Sequence, residues 1–473
     1  MSHLKGLTRA ALLALSVSGM AGASLAQEAG SVEVKQYEDG GVYEGTFKDG
    51  VQDGQGTYRL PSGYEYTGAF VQGEIRGQGV ARFPNGSVYE GNFAKGKPEG
   101  SGKITFADGG TFEGDWVDGK INGSGLVIYA NGVRYEGGFR NALHHGQGRM
   151  ESPSGYVYEG DWVAGIKEGR GRSTYPDGSV YEGEMKGDER AGQGVLVDPQ
   201  GMRYDGNWLA GQMHGVGTLT QANGDVYTGA FTNGERSGEG QVVYANGDVY
   251  NGGFEGDRRH GQGTFTGTDG YIYSGDWVAG QIEGGGRVTY PDGSVYEGQF
   301  RGGLADGKGQ ITYPDGNTFE GDWVQGVIEG YGVARYTDGP VYEGSFKNAR
   351  YDGQGTLSYS DGYKYVGGWK NGQRSGQGMT SFSDGTVYEG GFVNGLREGQ
   401  GTITMKDGFS YTGAWKAGEF NGAGVAKYAN GDVYEGMFRD GKRHGQGSVR
   451  YSDGVEAAGS WENGVLNPNE SSN

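Results

Sequence analysis

The chain has 473 residues, but 104 are glycine and only 34% are hydrophobic, which argues against the thick core of two or three ordinary globular domains. A formal charge of −19 and a pI of about 4.8 disfavour nucleic acid, whose phosphates need basic residues, and simple electrostatic docking to anionic lipid. Collagen and disorder fit no better, because the glycines lack a three-residue period and 59 aromatic residues are interleaved with them.

Residues 1–26 read as a secretory signal peptide. Lys5 and Arg9 form a basic region, Ala10 to Val17 is mostly apolar, and Ser24-Leu25-Ala26 offers small residues at both recognition positions of a cleavage site. The apolar stretch is too short to span a bilayer, and a twin-arginine pair is absent. Cleavage after Ala26 takes the net charge from −19 to −21. With no cysteine anywhere, neither disulfides nor a lipoprotein anchor is expected. The mature chain is expected to be soluble outside the cytoplasm, periplasmic or extracellular, with 27–36 a short N-terminal lead.

From Tyr43 onward an aromatic residue recurs every 23 positions through Tyr434, without insertion or deletion, and the next step lands on Ala457. A fixed period in this range marks a repeat architecture. With the repeat tyrosine at position 0, glycine fills +2 in all nineteen registers and +11, +13 and +20 in all eighteen complete ones. Position +4 is Phe or Trp everywhere except Met185.

Alternation of Tyr, Gly and Phe predicts a strand from about −1 to +5, and a second strand is expected from +11 to +17. Strings such as Tyr175-Pro176-Asp177-Gly178 fit a type I turn with glycine at the left-handed bulge position. A three-residue loop of this kind puts +17 opposite +21, +15 opposite the next position 0, and +13 opposite the next +2. Positions 0, +2, +4, +11, +13, +15 and +17 then share one face, where rings lie flat over bare glycine backbone. The other face carries Glu at +1 in eleven repeats and is expected to be wet. The fold class is therefore all-β: an elongated, solenoid-like antiparallel meander of about nineteen hairpins, in one twisted and curled sheet. The array is expected over 37–464, with a polar half-repeat marked by Tyr37 and Gly40 in front and a polar tail over 465–473.

Tyr342-Glu343-Gly344-Ser345-Phe346, followed by Gly353-Gln354-Gly355 and Asp361-Gly362, resembles the MORN repeat (membrane occupation and recognition nexus). The resemblance covers about 37–464. It implies β-hairpin repeats in an elongated curved sheet, and scaffolds that often self-associate, at membranes or in large assemblies. Lipid binding is proposed for that family, but this acidic chain lacks the basic clusters such binding calls for. Some relatives carry an appended lipid kinase or methyltransferase domain, for which the repeats leave no room here.

Several motifs imitate chemical sites. Gly114 to Lys120 matches most of a phosphate-binding loop, but Ile121 stands where Ser or Thr would hold magnesium, so a hairpin turn is expected. His144, His145, His214, His260 and His444 are read as turn residues, the last four at the same slot, +10. Each Asp-Gly turn offers one carboxylate where calcium wants six to eight oxygens. No cofactor, metal site or catalytic residue is expected, since no nucleophile–base pair or oxyanion site breaks the pattern.

Two surfaces remain as candidates. The aromatic face holds all eight tryptophans, at +4: Trp116, Trp162, Trp208, Trp277, Trp323, Trp369, Trp415 and Trp461. Structural packing is its expected role, and stacking against an envelope polysaccharide is the alternative. The acidic face presents Glu44, Glu90, Glu113, Glu136, Glu159 and Glu182, neighbouring ones about 10 Å apart, which suits a solvated face or a basic partner. The variable loops from +5 to +10 are expected to carry partner selectivity. The expected function is that of an exported, non-catalytic scaffold of the cell envelope that binds protein or itself; the alternative is a polysaccharide-binding rod.

Overall fold

The computed structural model describes residues 31–467; the signal-peptide assignment and the tail beyond 467 lie outside the described residues. These residues form 39 strands and no helix. They fall into two compact units, 31–240 and 241–467. In each unit a seven-residue strand alternates with a nine-residue strand, and each pairs antiparallel with its chain neighbours. Val42–Lys48 and Val51–Arg59 represent the first unit, Val341–Lys347 and Arg350–Ser358 the second.

The predicted register holds. Tyr58 faces Tyr66 and Gly56 faces Gly68 across the longer connection. In that connection, the Tyr175 N–H donates to Ser179 at 2.8 Å and the Gly178 N–H donates back to Tyr175 at 2.9 Å, with Gly178 at φ 89°. This is the expected type I turn followed by a left-handed glycine.

The second strand differs from its expected limits, running from +8 to +16. The segment +5 to +10 is not a loop. Its only turn is two residues, such as Asp49-Gly50, both left-handed at φ 50° and 78°. Two left-handed residues match the twist of the flanking strands, so the chain reverses at once and Lys48 faces Val51. Pairing then runs Phe47 to Gln52, but skips to Gly45 opposite Gly56. One residue, Thr46, thus stands against three, and Gly54 absorbs the extra length at φ 99°. The +11 glycine is a bulge residue whose Cβ would meet the +3 side chain of the opposite face, as one on Gly54 would meet Thr46, and is not part of the aromatic face as expected.

The array also reaches past its expected limits. Val32–Gln36, within the expected lead, pairs with Val42–Lys48, and Val465–Asn467 pairs with Glu456–Glu462.

Candidate functional site: the two faces of the repeat

The aromatic face is built in three layers. At the bottom lie the +2 and +13 glycines, whose Cα atoms sit so close that a Cβ on Gly45 would overlap Gly56. The position-0 ring lies over them; a Cβ on Gly56 would run into the Tyr43 ring. The Tyr43 hydroxyl donates to the Thr46 carbonyl at 2.9 Å, and the same bond recurs at Tyr204 and Tyr342. On each flank of a tyrosine stands a +4 ring, edge-on. Tyr66 meets Phe70 at 5.3 Å and the next repeat's Phe93 at 4.9 Å.

All eight predicted tryptophans belong to this layer, and all are only 2–7% exposed. Each indole N–H donates to the +13 carbonyl of the preceding repeat, as Trp162 does to Gly148 at 3.1 Å and Trp461 to Gly447 at 3.1 Å. The structure therefore gives both the faces and the one polar atom of these side chains a partner within the chain.

The top layer is a slot that sequence reasoning missed, +9. His144 stacks on Tyr135 with centroids 3.6 Å apart, and Tyr351 stacks on Tyr342 at the same distance. Seven repeats put a cation there instead: Lys167, Arg190, Arg236, Arg259, Arg374, Arg397 and Arg443. Arg259 lies 4.0 Å from the Trp277 centroid and Arg443 lies 4.1 Å from that of Trp461. Arg190 also donates to the Gly211 carbonyl at 2.7 Å. The signal that finds this slot is the left-handed pair at +6 and +7, with glycine at +7 in every complete repeat except at Ala142, Asp188, Asp257 and Ala349: a two-residue turn there forces +4 to face +9.

The histidines are not turn residues. His144 is buried in strand Leu143–Glu151, with its Nε2 2.9 Å from the Tyr129 hydroxyl, and burial pushes its pKa down to about 4. His145, His214, His260 and His444 occupy strand starts at +10. Acids at that same slot cap the next turn: Glu99 accepts from Asp118 N–H at 2.8 Å, and Glu398 from Ala417 N–H at 2.8 Å.

The phosphate-loop look-alike is a hairpin turn. Its Asp118-Gly119 pair joins Thr111–Val117 to Lys120–Ile128, and Asp118 binds Lys97 at 2.6 Å. The Asp-Gly turns direct their carboxylates to backbone. Asp177 accepts from Ser179 N–H at 2.9 Å, a bond that holds its carboxyl below the usual range.

Glu44, Glu90, Glu113, Glu136, Glu159 and Glu182 are all exposed on the opposite face. They do not form an unbroken acidic column. Position +14 stands between successive glutamates, so Lys103 lies between Glu90 and Glu113, Arg149 between Glu136 and Glu159, and Arg172 between Glu159 and Glu182. Lys103 approaches Glu113 at 3.9 Å, and Arg59 approaches Glu44 at 3.5 Å. At the long-turn edge, Tyr313, Tyr336 and Tyr359 of three successive repeats are 37–43% exposed.

A family model described as the MORN repeat matches eighteen consecutive segments, from 43–63 and 66–88 through 411–433 and 434–456. None of the curated proteins matches the chain. Among solved structures, the TCP10 domain of Danio rerio CPAP is 17% identical, with 41% of this chain and 92% of that one covered and a TM-score of 0.25. The Drosophila melanogaster SAS-4 TCP domain, solved with a proline-rich motif of Ana2, is 16% identical, with 37% and 90% covered and a TM-score of 0.23.

Proposed function

The chain belongs to the MORN-repeat family, and from that premise we propose that it is an exported, non-catalytic scaffold of the cell envelope that binds protein or a second copy of itself. The observation that carries this reading is the division of labour between the faces. The aromatic face closes on itself, with its tryptophans 2–7% exposed and each indole N–H bonded. What is left to a partner is the wet face of mixed charge and the turn edges, repeated along the array. Binding there would be the sum of many weak contacts. The polysaccharide alternative loses its open ring platform; only the long-turn tyrosines would serve it. Export rests on Lys5, Arg9, the apolar stretch and Ser24-Leu25-Ala26.

Two measurements test the proposal. Sedimentation velocity across a wide concentration range, at low and high salt, should reveal self-association or retention of an envelope protein that weakens as salt rises. A monomer at every concentration, with no envelope protein cross-linked to its wet face, would sink the scaffold reading. Separately, N-terminal sequencing of the protein from an expressing cell should begin at Gln27 in the extracytoplasmic fraction. An uncleaved cytoplasmic chain would sink the export reading alone.

A further inference from the structure

The cations of slot +9 are held in a regular way. Arg190, Arg374 and Arg443 each donate to the +7 glycine carbonyl of the next repeat, at 2.7, 2.9 and 3.1 Å. Arg397 departs from this pattern. Its half-buried guanidinium lies 4.8 Å from the Tyr388 centroid and 5.1 Å from that of Trp415, yet it makes no side-chain hydrogen bond among the described residues. A charged group with five donors is costly to hold part-buried without an acceptor. Burial, with the neighbouring Arg374 charge adding to it, holds Arg397 below its ordinary pKa.

Arg397 is surrounded by the rings of Phe382, Tyr388 and Trp415 and by the Arg374 charge. The side chain eleven residues earlier lies within reach of a +9 cation: Lys167 donates to the Tyr156 hydroxyl at 2.9 Å, and Arg374 to that of Tyr363 at 2.8 Å. For Arg259 and Arg443 that slot is Asp248 and Asp432, whose carboxylates accept from the Thr268 and Ser452 N–H groups at 2.9 Å. For Arg374 and Arg397 it is Tyr363 and Thr386. Neither arginine has an ion-pair partner among the described residues.

A second, independent observation lies between them. Slot +15 carries a hydroxyl only at Tyr58, Ser173 and Thr380, and the Tyr58 hydroxyl donates to Asp39 at 3.3 Å. Ser173 closes a network, its hydroxyl 3.1 Å from that of Tyr156, which also accepts from Lys167. Thr380 occupies the same slot of a later repeat, but its hydroxyl, in a side chain 1% exposed, has no partner among the described residues. Its strand pairs with Tyr365 on one side and Tyr388 on the other, the two rings that lie beneath Arg374 and Arg397.

We propose that Arg374, Arg397 and the Thr380 hydroxyl form a binding site for one oxyanion, a carboxylate or phosphate group, on the aromatic face of the second unit. The two arginines stand on successive repeats, about 9.6 Å apart at the backbone, and an anion between them would take the donors of Arg397 and those that Arg374 does not give to Tyr363 and Gly395. Rings on either side lower the local dielectric and strengthen that attraction. The site does not depend on the scaffold reading.

Isothermal titration of the full chain in low-chloride buffer tests it, with sodium succinate and sodium phosphate as separate probes. At least one should bind, with tenfold or greater loss in Arg397→Gln and no change in Arg443→Gln, whose arginine occupies the same slot outside the site. Succinate alone identifies a carboxylate ligand, and phosphate alone a phosphorylated one. No binding of either, or equal loss in Arg443→Gln, overturns the proposal. Should Arg397→Gln fail to fold, Thr380→Val decides. Valine already fills that slot at Val288, so the variant should fold and bind severalfold more weakly; unchanged affinity would overturn the site.

Discussion

The indole Nε1 of Trp208 donates to the Gly194 carbonyl, 3.0 Å away and fourteen residues earlier in the chain. That bond ties one repeat's +4 ring to the repeat before it, at the bare backbone over which Tyr181 lies.

Because phenylalanine already fills +4 in ten repeats, Trp208→Phe should keep the packing and lose only the bond, about 1 kcal/mol. Trp208→Ala should cost about 3–5 kcal/mol and loosen the adjoining repeats first, since each touches only its neighbours. Urea unfolding with amide exchange resolved by segment reads both effects. Equal losses in the two variants would mean that the ring's volume contributes little.

Tryptophan emission should be blue-shifted and poorly quenched by acrylamide, because all eight reporters are 2–7% exposed. Red-shifted, readily quenched emission would mean an open ring face and would restore the polysaccharide reading.

Glycines of the same repeat should differ sharply in what they tolerate. A Cβ on Gly102 overlaps the Tyr89 ring, so Gly102→Ala should cost about 1–3 kcal/mol or more. Gly96 is left-handed at φ 76° with nothing near its Cβ, and Asn tolerates that conformation. Gly96→Asn should therefore be nearly neutral in a urea melt.

His144 should give the first unit a pH-dependent stability. Burial lowers its pKa from 6.5 to about 4, so the unfolded chain takes up the proton first as pH falls. Its contribution is intact above about pH 6.5, declines through the window, and levels off near pH 4, amounting to about 3 kcal/mol. His144→Tyr should remove this dependence yet fold, because Tyr351 makes the equivalent stack on Tyr342. Melts of both proteins at pH 7 and pH 5 would decide it; an equal pH response in the variant would assign the effect elsewhere.

On the wet face, Lys103→Glu puts a third carboxylate between Glu90 and Glu113. The loss should be about 1 kcal/mol or less, and shrink as salt is added. A salt-independent loss would point to packing instead.

Much of this architecture was legible from the chain because its period never slips. Tyr58 opposite Tyr66 follows from counting across a turn whose type Pro61-Ser62-Gly63 fixes. The bulge was not legible, because a glycine at +11 looks the same whether it lies under a ring or turns left-handed. Missing it shifted the second strand and hid slot +9. That slot holds Gln, Ile, Pro, His, Lys, Arg, Met, Ala, Tyr and Phe in different repeats, so composition never marks it as one site. What unites His144, Tyr351 and Arg397 is a position over a tyrosine, which only the short turn determines. The acidic face was half-read for a related reason: Lys103 and Arg149 are thirteen residues from the glutamates before them, but adjacent across the sheet.

Phe70 belongs by sequence with Tyr66, yet it also closes the ring stack on Tyr43, 4.8 Å away. The module that packs is thus staggered against the module that recurs. An exchange between two copies of the repeat, in phase, regenerates every such pairing wherever its breakpoint falls. A slip of one residue reverses the faces of all the strands beyond it. Lengthening or shortening the array by whole units needs no compensating change elsewhere, so its length is free to track whatever it must span.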